Sequence, residues 1–147
     1  MKKLVVLVAV LALVMSFCLV GCSTTYTGEC KYDSYGHTYG VKVDVAVSGG
    51  VIKGVKLYSE EETGWVRTSA DNAEYGWTGH DRTEAAYDDF LKKFVGQKVE
   101  DVLAIKATAT ADGQTVEDAN WKISGSTQSA ARIIVAVQDA LKKASSK

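Results

Sequence analysis

The sequence predicts a single α+β domain, in which hairpins form an antiparallel β-sheet packed by two main α-helices, behind an N-terminal leader. Two observations carry this. Apolar residues alternate with period two around glycine-containing turns, which is typical of β-hairpins. Two other segments, well separated along the chain, space their apolar residues as a helix does. Strand pairs with short turns and separated helices favour a sheet covered by helices.

The first 22 residues, MKKLVVLVAVLALVMSFCLVGC, combine a basic start with an apolar run. A small residue before the cleavage point makes this a secretory signal. The ending Leu19 to Cys22 resembles the lipobox of bacterial lipoproteins. That resemblance implies a signal peptide over 1–21, acylation of Cys22, and a short tether over 22–25. We therefore expect an extracytoplasmic lipoprotein on the outer face of the cytoplasmic membrane or in an outer membrane.

The cysteines and charges of the mature chain argue against an intrachain disulfide and against nucleic acid as a partner. Cys18 leaves with the signal and Cys22 is acylated, so Cys30 has no partner for an intrachain disulfide. Cys30 is either a reactive nucleophile or a small buried strand residue. Of 17 basic residues, Lys2 and Lys3 lie in the signal, which leaves 15 against 18 acidic residues in the mature chain. No basic patch is present, so nucleic acid is not an expected partner.

The first half of the mature chain predicts three strands. Residues 26–32 form a short strand, and 33–40 a glycine-rich aromatic turn region. Residues 41–47 form the second strand, and Ser48-Gly49-Gly50 supplies a turn that tolerates positive φ. The third strand covers 51–58. The residues expected on the inner face are Val41, Val43, Val45 and Val47, then Val51, Val55 and Leu57.

Residues 59–80 show no periodicity and are expected to form a long loop, which in compact domains is often functional. Residues 81–84 resemble a capping box, and the following helix places Tyr87, Phe90, Leu91 and Phe94 inward before Gly96 ends it.

The second half predicts another hairpin and the longer helix. Residues 105–110 alternate, Asp112-Gly113 turns the chain, and 114–116 pair back. Residues 121–123 are expected to be extended. The helix carries a continuous apolar stripe, and 145–147 are expected to be a disordered tail. The stripe consists of Ala130, Ile133, Ile134, Val137, Ala140, Leu141 and Ala144.

Small and hydroxyl residues are concentrated at the start of this last helix: Ser124, Gly125, Ser126, Thr127 and Ser129. Two interpretations remain open. Free amides and the positive dipole end of a helix bind anions, and Gly125 would let a phosphate approach the backbone. Alternatively, Ser124 or Ser126 is a plain N-cap.

SGSTQSAARIIVAVQDAL, from Ser124 to Leu141, resembles the C-terminal signature of the FMN-binding domain family, usually Ser-Gly-Ala-Thr followed by Thr/Ser-Ser and a helix. YTGECKYDSYG is similar to the family's first strand, and VKVDVAVSGGVIKGVKLYSEEET to its central hairpin. The order of the remaining segments also agrees, so the resemblance covers most of 26–144, an FMN-binding-like domain.

The resemblance implies FMN as cofactor and no independent enzymatic activity. In the family, a flavin transferase can attach FMN through its phosphate to a threonine that corresponds to Thr127 here. Ser124, Gly125, Ser126, Gln128 and Ser129 belong to the same cofactor-binding segment. The motif's aspartate is replaced by Trp121, so a covalent phosphoester and reversible binding both remain open. Trp121 either stacks on the flavin ring or packs in the core.

The resemblance also implies electron transfer to or from an unidentified membrane redox partner. An alternative is a surface lipoprotein of the same fold that carries no flavin and serves in interactions or structure. No residue spacing predicts a metal site, because His37 and His80 lack convergent ligands. No Gly-x-Ser-x-Gly turn is present, and no catalytic residues are expected.

Overall fold

A computed structural model of the chain describes residues 22–66, 84–123 and 127–146. It confirms the α+β class, with antiparallel sheets of three and two strands and helices packed on them. The strands are β1 (Thr24–Ser34), β2 (His37–Ser48), β3 (Val51–Leu57), β4 (Ala107–Thr110) and β5 (Gly113–Val116). The helices are α1 (Glu60–Thr63), α2 (Glu84–Lys92), α3 (Val99–Leu103) and α4 (Thr127–Ser145), with a 3-10 turn at Ala119–Trp121.

The larger sheet has the order β1-β2-β3 and is entirely antiparallel. The predicted inward face of β2 is confirmed, since Val41, Val43 and Val45 are at most 2% exposed and Val47 is partly buried against the core. Cys30 lies opposite Val41 on β1 and shares this inner face. Period-two alternation therefore gave the correct buried face of the central strand.

In β3 the prediction that Val51 points inward is wrong, because Ile52 is the residue that is fully buried. A bulge causes the difference. Val45 pairs with Val55, whereas Val47 pairs with Ile52, so Lys53 is an extra residue without a partner on β2. One inserted residue exchanges the faces of everything beyond it.

The predicted turn region 33–40 is much shorter in the structure. β1 continues to Ser34 and β2 begins at His37, so the turn has only two residues. Tyr35 and Gly36 have φ of 50° and 76°, as in a type I′ hairpin turn. The first strand also begins at Thr24, two residues earlier than predicted, which leaves Ser23 as the only residue between Cys22 and the sheet.

Helix α4 is the centre of the core and packs against β1 and β2 on one side and against β4 and β5 on another. Its predicted apolar stripe is buried from Ala130 to Leu141, with Ala144 at the partly exposed margin. The helix includes Ser145, so the predicted disordered tail is wrong at this residue, and Lys147 lies outside the described part.

Gly28 lets α4 approach β1 closely. A Cβ at this position would lie 2.8 Å from the Cβ of Ala140 and closer still to the Ala136 carbonyl oxygen. The strand and helix run in opposite directions, because Glu29 contacts Asp139 while Tyr32 contacts Arg132. Only a residue without a side chain allows this contact.

Several local expectations change. The loop predicted from residue 59 begins with α1, which Ser59 and Glu62 cap reciprocally, and residues 67–80 lie outside the described part. The capping residues 81–83 also lie outside it. Residues 119–121 form a 3-10 turn where an extended segment was expected to start, and α3 was not predicted.

Candidate functional site

Of the predicted cofactor residues, Thr127, Gln128 and Ser129 lie in the first turn of α4. Ser124, Gly125 and Ser126 lie outside the described residues. Thr127 begins the helix and is partly exposed, Gln128 is exposed, and Ser129 is 2% exposed. The first turn carries no acidic side chain, so no carboxylate offsets the positive end of the helix dipole there.

Ser129 is anchored to α2. The Tyr87 hydroxyl donates a hydrogen bond of 3.2 Å to the Ser129 Oγ, and both side chains are buried. Because a buried hydroxyl pair is costly to leave unsatisfied, this bond fixes the first turn of α4 against α2. Ser129 is therefore a supporting residue, while Thr127 and Gln128 face solvent.

One turn further along α4, Arg132 is 4% exposed and lies against two tyrosines. Its guanidinium carbon is 5.2 Å from the ring centre of Tyr32 and 5.6 Å from that of Tyr39. The two rings are cross-strand neighbours on β1 and β2, 6.0 Å apart and inclined by 17°. Both rings are partly exposed, and His37 meets Tyr39 edge-on.

The tyrosine pair and Arg132 were missed by the sequence reasoning. A signal existed: Arg132 interrupts an apolar run between Ala131 and Ile133. A buried guanidinium needs partners, and aromatic faces supply them. The tyrosines could not be paired with it, because their segment was expected to be a turn.

Burial raises the pKa of Tyr32, although the charge and a hydrogen bond of Arg132 act in the opposite direction. The phenol therefore stays protonated in the neutral range and remains a hydrogen-bond donor. Arg132 therefore faces a neutral phenol at Tyr32.

Trp121 packs against the core and is partly exposed. Its ring is 4.8 Å from Phe94 and 6.2 Å from Phe90, measured between centres. These rings form an aromatic cluster under α2. The contact supports packing for Trp121. Among the described residues, the Tyr32–Tyr39 pair is a separate aromatic surface, partly exposed and in contact with Arg132 of α4.

Burial decides between the two interpretations of Cys30. Burial raises the pKa of Cys30 to about 11, so the reactive-nucleophile alternative is wrong and the buried strand residue is confirmed. Cys22 is exposed. Among the described residues, no group of histidines, cysteines and carboxylates has metal-binding geometry.

No family model, curated protein or solved structure matches this chain. Within the described part of the chain, none of the helices is both long and apolar enough to span a bilayer.

Proposed function

We propose that the mature chain is a membrane-anchored extracytoplasmic lipoprotein, acylated at Cys22, that binds FMN at the start of α4 and serves as an electron-transfer carrier. The observation that carries the proposal is a single juxtaposition. The N-terminal turn of α4, the buried Arg132 and the partly exposed Tyr32–Tyr39 pair lie at one end of the fold. Resemblance of 124–141 to the FMN-binding signature supplies the identity of the ligand.

The helix start suits a phosphate. Free amides and the helix dipole favour an anion there, and no acidic side chain in the first turn opposes it. Hydrogen bonds from hydroxyls to a charged phosphate contribute about 1.5–3 kcal/mol each. Thr127 is the hydroxyl that the helix presents with partial exposure. The positive charge of Arg132, five residues further along the helix, also favours an anion.

The tyrosine pair suits a planar aromatic ring. Offset stacking on an aromatic side chain contributes about 0.5–1.5 kcal/mol beyond burial. Rings that Arg132 holds from the helix side lose little freedom when a ligand binds. When bound, FMN would supply the reversible electron chemistry that the side chains themselves lack.

Covalent and reversible binding differ in one bond. A phosphoester at Thr127 needs an activated flavin donor such as a flavin dinucleotide. The Thr127 oxygen would bond to the flavin-side phosphorus, the pyrophosphate bond would break, and a nucleoside monophosphate would leave while the hydroxyl proton passes to solvent. Trp121, standing where the motif has aspartate, favours the reversible form.

The test of flavin binding compares mature protein produced with and without a flavin transferase, by intact mass and by flavin absorbance. A flavin-phosphoryl mass that disappears in Thr127→Ala and persists in Thr127→Ser supports the covalent form. Absorbance that denaturation releases supports the reversible form. If neither appears after incubation with excess FMN, the protein carries no flavin and the interaction or structural role is favoured.

The anchor is tested separately by fractionating cells that express the full chain. We expect Cys22→Ala to leave the membrane fraction after a salt wash, because a thiol is needed for acylation. Cys18→Ala is the matched control, since Cys18 lies within the signal. Equal retention of the Cys22→Ala and wild-type proteins would contradict the proposed anchor.

A further inference from the structure

The sheet and α4 give the domain two opposite ends. At the first, which we call the anchor end, Thr24 pairs with Val47 beside the Gly49–Gly50 turn, and the Lys143 Nζ donates to the Thr27 carbonyl. At the second, the distal end, β1 and β2 meet at Tyr35, and α4 begins. These contacts show that β1 and α4 are antiparallel.

The two ends are far apart. A strand rises about 3.3 Å per residue, so Thr24 lies roughly 26 Å along β1 from Tyr32. A helix rises 1.5 Å per residue, which places Lys143 about 24 Å along α4 from Thr127. Cys22 is two residues before Thr24, so an acyl chain at Cys22 holds the anchor end against the bilayer.

The anchor end is also the end that matches a membrane surface. Exposed lysines gather there from three parts of the chain: Lys53, Lys98, Lys142 and Lys143. Lys98 and Lys143 pair with Glu100 and Asp139. Across the described ranges, neither Lys53 nor Lys142 forms an ion pair with any residue.

Val95 adds an apolar contact, being 48% exposed next to Gly96, whose amide bonds to the Ile52 carbonyl at this end. The anchor end also exposes Glu100 and Asp101 on α3, but its exposed lysines outnumber them. The distal half exposes Asp33 at the hairpin and Glu60 and Glu61 on α1, which outnumber its exposed Lys31 and Lys56. Anionic headgroups attract basic residues near the surface and repel acidic ones. The charge distribution and the anchor therefore favour the same orientation.

We propose that the domain stands on its anchor end, with Lys53, Lys142 and Val95 against anionic lipid headgroups, and presents the start of α4 to the aqueous side. The orientation rests on the proposed acylation of Cys22. The conclusion about the redox partner rests also on the proposed binding of FMN. Headgroups occupy only about 5–8 Å of each leaflet. The distal end therefore stands clear of the membrane, and the redox partner is a water-soluble carrier or an extramembranous domain, not a quinone dissolved in the bilayer.

The orientation is measured on acylated full chain reconstituted into phosphatidylglycerol-containing vesicles with a headgroup quencher. A fluorophore is attached at Val95→Cys or at Tyr35→Cys, which is 93% exposed at the distal turn. Acylated Cys22 and buried Cys30 do not compete for the label. We expect strong quenching at position 95 and little at 35. Equal quenching at both, or none at either, overturns the proposal.

Charge reversal supplies the matched control. Lys53→Glu/Lys142→Glu should abolish the difference between the two probes, whereas Lys31→Glu/Lys56→Glu, with the same change in net charge away from the anchor end, should preserve it. If the two pairs of substitutions behave alike, the lysines do not orient the domain and the proposal is wrong.

The partner class is tested on vesicle-bound protein loaded with FMN and reduced. We expect a water-soluble acceptor to reoxidise the flavin, and a long-chain quinone in the bilayer to leave the rate unchanged. Acceleration by the quinone overturns the inference. The quenching measurement needs no flavin and the fractionation of Cys22→Ala needs no probe. Failure of FMN binding, of the anchor or of the orientation is therefore recognised separately.

Discussion

Asp139 and Lys143, one turn apart on α4, together bind the free backbone edge of β1. The Asp139 carboxylate accepts a hydrogen bond of 3.0 Å from the Glu29 backbone amide. The Lys143 ammonium donates a hydrogen bond of 2.8 Å to the Thr27 carbonyl oxygen. The Asp139 and Lys143 side chains form an ion pair at 2.9 Å. An unpaired strand edge is a site for unwanted pairing with another chain. An i,i+4 ion pair here satisfies two groups of that edge and ties the strand to the helix.

This pair predicts a pH dependence of stability. Burial raises the pKa of Asp139, but hydrogen bonds from Lys143 and the Glu29 amide, with the charges of Lys143 and Lys142, outweigh it and leave the pKa lowered. A lowered pKa in the folded state stabilises the fold above the unfolded value of 3.8 and loses that contribution as the pH falls through the folded pKa.

We expect Asp139→Asn to reduce the urea midpoint near neutral pH and to weaken its decline on acidification. Asp112→Asn, in the exposed turn between β4 and β5, is the control and should retain the wild-type pH profile. An unchanged profile in Asp139→Asn would mean that the carboxylate contributes nothing to stability.

Gly28 and Gly54 predict opposite responses to the same added methyl group. At Gly28 the new Cβ meets backbone atoms of α4, so the helix must shift, and overpacking of this kind costs about 1–3 kcal/mol or more. At Gly54 no atom lies within 4 Å. Denaturant unfolding of Gly28→Ala and Gly54→Ala should show a large loss only in the first. Similar losses would contradict the close approach of β1 and α4.

The two mature cysteines predict unequal reactivity. In the non-acylated mature domain Cys22 is exposed, whereas burial raises the pKa of Cys30 to about 11 and removes the thiolate that alkylation needs. At mildly alkaline pH, intact mass should show one alkylated thiol in the folded protein and two in denaturant. Two modifications under native conditions would show that the inner face of β1 opens readily.

Local periodicity predicted which face of a regular strand or helix is buried. The inner face of β2 and the stripe of α4 follow directly from the spacing of Val41 to Val45 and of Ala130 to Leu141. The burial of Ile52 in place of Val51 could not be predicted. It results from a β-bulge at Lys53, and a bulge residue has no distinctive composition in the sequence of a strand.

The site was predicted in part. Hydroxyl and glycine residues before α4 pointed to its start, but the partners of that start come from distant segments. Pairing of Tyr32 with Tyr39 depends on a two-residue turn at Tyr35, a position where a non-glycine residue with positive φ is uncommon. Contact of Arg132 with both rings then depends on how α4 packs across the sheet, and local sequence patterns do not predict that packing.

The tyrosine pair gives the sharpest test of where the flavin ring binds. If FMN stacks on Tyr32 and Tyr39, Tyr32→Leu should weaken FMN binding by up to about tenfold, since losing a stacking contact of ~0.5–1.5 kcal/mol has that effect. Tyr35→Leu is the matched control, because Tyr35 lies three residues away and is almost fully exposed. Titration of each variant with FMN, followed by flavin fluorescence, measures both affinity and quenching.

We expect Tyr32→Leu to lose affinity and to quench the bound flavin less, while Tyr35→Leu matches wild type. If FMN binds all three proteins with the same affinity and quenching, the ring lies elsewhere, although the phosphate could still be held at Thr127. Circular dichroism of Tyr32→Leu guards against a trivial loss of fold, because Arg132 loses one of its two aromatic contacts in that variant.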